Sequence, residues 1–114
     1  MGYWVSLRDE NDECCLVQKH SEGGTYVIGG TDEADMSVTW NYLGLTYEAM
    51  GIEFKSMRNL TGAQSIPLLE KGVAALGTER SDDYWAATPG NAGAMLAVLL
   101  SWAKQHPNGR WEIH

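Results

Sequence analysis

Hydrophobic positions along this chain change period as the sequence proceeds, and each change marks an element. Tyr3, Val5 and Leu7 alternate with Trp4, Ser6 and Arg8, the period-two signature of a strand with one buried face. Polar residues 9–13 make a turn, and residues 14–19 read as the return strand of a β-hairpin. Residues 20–24 form a loop, residues 25–28 a third short strand and residues 29–31 a flexible turn. Met36, Val38 and Trp40 alternate with Ser37, Thr39 and Asn41. This predicts a fourth strand antiparallel to the third, with a helix starting near Thr31 as the competing reading. From residue 42 the period becomes helical: Leu43, Tyr47 and Met50 are spaced by four and three, and Gly51 follows as a stop. Residues 52–60 read as irregular or as a short extended piece. Thr61-Gly62-Ala63-Gln64 has capping-box form, and Ile66, Leu69, Val73 and Leu76 make an amphipathic stripe closed by Gly77. Pro67 falls early in that helix, where it is tolerated.

The most apolar segment begins after a polar linker over residues 78–87. Thr88 suits an N-cap and Pro89 the first helical position, while Pro107 ends the helix and Lys104 and His106 sit by its negative end. No charged residue falls between Asp83 and Lys104, so this helix predicts the centre of the core, buried on two sides. Its apolar run is about half of the ~20 residues that a membrane span requires. Pro107-Asn108-Gly109 then turns the chain into a final strand with Trp111 and Ile113 inward. The expected architecture is a single α+β domain over residues 1–114. It has an antiparallel sheet of about five strands, covered on one face by two or three helices, with the C-terminal strand after the long central helix.

Composition narrows the functional classes. A formal charge of −7 opposes direct binding to nucleic acid, which needs a basic surface, and fits a simply soluble protein, a partner with a basic surface or a mimic of nucleic acid. Cys14 and Cys15 are adjacent and offer no disulfide framework, which fits a reducing, cytoplasmic setting. The opening residues enter a strand pattern at once, so no targeting segment or membrane anchor is expected. Metal binding is not expected either, since neither CxxC nor HxxxH spacing occurs, and no cofactor fingerprint is present.

Three kinds of site remain. Acidic runs offer partner contacts through Asp12 and Glu13, through Asp32, Glu33 and Asp35, and through Asp82 and Asp83. Trp4 joins them if the fold leaves it exposed, because surface Trp is enriched in binding hot spots. Glycines at strand and helix ends suggest instead a pocket for a phosphorylated small molecule. There Lys19, His20, Ser21 and Thr25 would meet the helix start at Thr88, Gly90 and Asn91, with Trp40, Tyr42 or Trp85 stacking on a base. Third, His20 beside Glu22, Ser21 and Thr25 is the one dense polar cluster for a small hydrolase, although it assigns no catalytic residue.

The phrases at residues 20–26, 29–34, 84–93 and 102–107 resemble a group of small uncharacterised bacteriophage and prophage proteins. That resemblance carries no catalytic residues. It implies an accessory or counter-defence factor in a bacterial host, which inhibits a host protein or sequesters a small molecule. The leading expectation is therefore non-enzymatic inhibition of a host protein through an acidic surface, followed by a nucleotide or anion sponge. An oligomer is compatible with either.

Overall fold

A computed structural model describes residues 2–22, 28–83 and 85–114. Its apolar segment is helix α3 (Pro89–Gln105), capped by Thr88, whose hydroxyl accepts the Asn91 N–H at 3.1 Å. The His106 N–H closes the last turn on the Trp102 carbonyl, and Pro107 follows. Every residue from position 91 to position 96 is buried, as are Leu99, Trp102 and Ala103, so the helix is covered on more than one side. Among the described residues no helix is long and apolar enough to cross a membrane.

Helix α2 (Gly62–Leu76) lies along α3, and α1 (Leu43–Met50) packs on α2. The capping box of α2 is complete: Gln64 N–H donates to Thr61 Oγ1 at 3.1 Å, and Thr61 N–H donates to Gln64 Oε1 at 2.9 Å. Gly51 ends α1 at φ +80°, and Gly77 ends α2 at φ +74°, both in the region that favours glycine. Residues 52–60, which show no period, contain a 3-10 turn at Phe54–Met57 that buries Phe54 and Met57.

The strands are β1 (Gly2–Arg8), β2 (Leu16–His20), β3 (Thr31–Glu33), β4 (Asp35–Thr39) and β5 (Arg110–Ile113). They form two antiparallel sheets rather than one: β4-β1-β5 and β2-β3. In the larger sheet Val5 lies between Met36 and Ile113, Tyr3 pairs with Val38 and Leu7 with Trp111. Directly paired residues share a face, so these side chains form one apolar layer, and all but the half-buried Tyr3 are fully enclosed in the core.

The division into two sheets corrects the expected hairpin. Its turn forms, with Asp9 N–H bonded to the Glu13 carbonyl at 2.8 Å and Asp12 at φ +60°. The return segment then makes one bridge, Arg8 to Cys14, and leaves. A strand has only two edges. On β1, β5 takes one, and β4 takes the other along residues 2–6. Three backbone bonds mark the parting: Cys15 N–H to Leu7 O, Ala34 N–H to Cys15 O and Leu7 N–H to Ala34 O. Strand β2 therefore pairs with β3, whose first residue, Thr31, is the end of the expected turn. Strand β4 pairs with β1 along residues 35–39, and the expected pairing of β4 with a third strand falls on residues that are not described. Residues 25–27 lie outside the described residues, and Ile28 is in a turn, fully exposed. The helix considered from Thr31 is excluded by β3 and β4.

Candidate functional site

Strand β2, displaced from β1, lies over α3. The His106 ring donates through Nε2 to the Leu16 carbonyl at 2.6 Å, and the His20 ring sits 5.1 Å, centroid to centroid, from the ring of Trp102. Beyond the strand, Arg80 in the α2–α3 connection binds Glu22 at 3.3 Å. Between these anchors opens a cleft of about 410 Å³. Gln18, Lys19, His20 and Glu22 form one wall, Thr78 and Arg80 an end, and Ala94, Ala97, Val98, Ser101, Trp102 and Gln105 the α3 wall. The size falls within the range of small-molecule sites.

Of the pocket residues expected from sequence, Lys19 and His20 line this cleft and Ser21 is the exposed residue next to them. Thr25 lies outside the described residues. Both ring nitrogens of His20 are engaged by backbone: Nε2 with the Glu33 carbonyl at 2.6 Å, and Nδ1 as acceptor of the Glu22 N–H at 3.1 Å. A ring held this way fastens β2 to β3 and has no free nitrogen for acid–base work in this arrangement. Gly30, at φ +88°, follows from the same crowding, because a Cβ there would overlap the His20 carbonyl oxygen.

At the start of α3 the structure supplies a packing reason for each expected pocket residue. A Cβ on Gly90 would overlap the Glu79 carbonyl oxygen, and one on Gly93 the Gly77 carbonyl oxygen, so these glycines admit the chain's own backbone. Asn91 is buried; its Oδ1 accepts the Ser81 N–H at 2.8 Å, and its Nδ2 donates to the Asp83 and Ala86 carbonyls at 2.8 and 3.0 Å. It holds Ser81, Asp83 and Ala86 of the preceding connection in place, while Thr88 caps the helix. Tyr42 is corrected as a stacking residue, since it is completely buried in the core. Trp40 remains exposed over 44% of its surface and meets Tyr3 edge-on at 6.1 Å, beside a groove lined by Tyr3, Leu43, Tyr47 and Phe54.

The acidic candidates divide between two places. Asp82 and Asp83 lie in the loop before α3, where Asp83 Oδ1 accepts the Trp85 N–H at 3.0 Å. The others gather about β1, β3 and β4, with Glu13 beside Cys14 in the bridge and Asp32 on β3. On the outer face of the larger sheet Ser6 lies between Asp35 and Glu112, and Trp4 stands two residues along beside Ser37. Arg110 bridges Glu112 at 2.8 Å and Asp12 at 3.5 Å, and Arg8 lies 4.0 Å from Asp12. Burial, and then the charge of Glu33, hold the Asp35 carboxyl above its ordinary range, with Arg8 and His20 acting in opposition. Burial and the nearby acids Asp35 and Glu33 raise the Cys14 thiol as well, and burial raises Cys15. Trp4 is 47% exposed on this face, and its backbone is doubly bonded to His114.

Sequence reasoning missed Arg80, although it is the one cation within the acidic run over residues 79–83. No local signal marks Gln18, Ser101 or Gln105, which reach the cleft only because β2 leaves β1. Among the described residues no group of three or more His, Cys, Asp or Glu is placed to hold a metal ion. No family model, curated protein or solved structure matches this chain.

Proposed function

We propose that this chain is a non-enzymatic accessory protein of the phage type, which occupies a basic surface of a host protein with the outer face of its β4-β1-β5 sheet. The observation that supports this most directly is Trp4, half-exposed on a strand whose same-face neighbours include Asp35 and Glu112. A large aromatic left half-exposed is poor for solubility and good for binding: Trp is enriched among hot-spot residues, and truncating one costs about 2 kcal/mol or more. The carboxylates around it supply steering and specificity toward a basic partner. The four carboxyl groups of Asp12, Glu33, Asp35 and Glu112 stand against the two cations Arg8 and Arg110, a negative bias.

The test is affinity capture from a bacterial host with three proteins and a control. These are the native chain, a Trp4→Ala variant, and a neutral D12N/E13Q/E33Q/D35N variant; an E48Q/E70Q variant on α1 and α2 serves as control. One host protein should be retained by the native chain and the control, released as salt rises, and lost with both interface variants. Equal retention by the neutral variant would overturn the acidic face, and equal retention by Trp4→Ala would remove Trp4 from it.

A further inference from the structure

We propose that the cleft between β2 and α3 is a binding site for a phosphate monoester on a small organic body, and that Glu22 occupies the phosphate position until the ligand displaces it. This does not rest on the acidic-face reading, since none of the carboxylates assigned to that face lines the cleft. In a chain of net charge −7, Lys19 and Arg80 stand together on one concavity. Lys19 makes no ion pair with any described residue. Arg80 is only partly committed. One terminal nitrogen meets both Glu22 oxygens, each at 3.3 Å. Charge-assisted bonds of a well-formed pair run at about 2.8 Å. Its other guanidinium nitrogens bond to no described residue.

A carboxylate carries one charge, whereas a phosphate monoester carries about −1.5 to −2 at neutral pH and three acceptor oxygens. Two cations therefore match the phosphate better than they match Glu22. Arginine with its planar fork and lysine as a point charge are the side chains suited to that exchange. The organic body has a place as well. Ala94 and Ala97 keep the α3 wall low, Val98 and Trp102 make it apolar, and Ser101 presents a hydroxyl beside them. The volume of about 410 Å³ holds a ligand the size of a nucleoside monophosphate.

Thermal unfolding and titration calorimetry at constant ionic strength test this with adenosine 5′-monophosphate, adenosine and inorganic phosphate. The monophosphate should raise the melting temperature and adenosine should not. Arg80→Ala and Lys19→Ala should each weaken the monophosphate by about tenfold or more. Glu22→Gln should tighten it several-fold, the opposite of what loss of a ligand contact would do. Ala97→Leu, at a half-exposed helical position, should block the monophosphate while leaving the response to inorganic phosphate. The proposal is overturned if no phosphate compound binds. Identical responses in the native chain and Arg80→Ala, or unchanged or weaker binding by Glu22→Gln, overturn it equally. Circular dichroism shows whether each variant is folded before its titration counts.

Discussion

At the scale of single residues, the glycines separate into those that admit backbone and those that merely end or occupy helices. Gly93 is the most constrained, because any side chain there enters the Gly77 carbonyl where α2 hands over to α3. Gly93→Ala should destabilise by about 3 kcal/mol, near the upper end for overpacking, a fall of roughly 15 °C in melting temperature for a domain of this size. Gly44 gives the contrast: its Cβ would meet nothing within 4 Å, so Gly44→Ala should stabilise α1 by about 0.5 kcal/mol. No loss in the first, by thermal denaturation, would show the α2–α3 contact to be looser than described, and a loss in the second would show that Gly44 is not open to a side chain. Asn91 is the polar counterpart. Asn91→Ala removes the partner of the Ser81 N–H and of two loop carbonyls, and should cost about 2–3 kcal/mol. Amide exchange at Ser81 should quicken more than exchange within α2. These roles were hidden in sequence because a glycine admitting a phosphate and one admitting a carbonyl are the same letter, and Thr-Pro-Gly-Asn starts a helix in either case.

At the scale of elements, helices were legible and strand partners were not. Thr61 with Gln64, Thr88 with Pro89, and Gly51 or Gly77 after an apolar stripe fix helix ends by local hydrogen bonds, so the letters suffice. Strand pairing is decided by competition for edges. Nothing in residues 14–19 says that β4 has already taken the edge of β1, and the cleft exists only as a result of that competition. The C-terminal strand shows how distant elements are joined. Trp111, on the inner face of β5, donates its indole N–H to Ser65 Oγ of α2 at 2.8 Å, with both residues completely buried. Ser65→Ala should strand that N–H and cost about 2 kcal/mol. Trp111→Phe should cost less in the Ser65→Ala background than alone, a coupling of about 1 kcal/mol in a double-mutant cycle. Additive losses would mean that the bond contributes nothing beyond packing.

For the whole molecule, charge and stability pull in opposite directions on the outer sheet face. Asp35 is partly buried beside Glu33, and both features raise its carboxyl pKa despite Arg8. A raised carboxyl favours the folded state fully while it is protonated, below the unfolded value near 3.8, and that contribution is lost as pH rises through the folded value. At neutral pH ionised Asp35 therefore works against folding. Asp35→Asn should melt higher than the native chain at pH 7, and the gap should close as acid protonates the native carboxyl. Added salt should stabilise the native chain more than the variant, because it screens Asp35 from Glu33. A variant less stable than the native chain at pH 7 would show that attraction to Arg8 outweighs burial and repulsion. The same substitution should weaken retention of a basic partner, so one residue would gain stability and lose association. That opposition is expected where a surface is maintained for binding rather than for the fold, and it separates an acidic interface from acidity that only keeps a small protein soluble. A soluble-surface carboxylate would leave partner retention unchanged when neutralised.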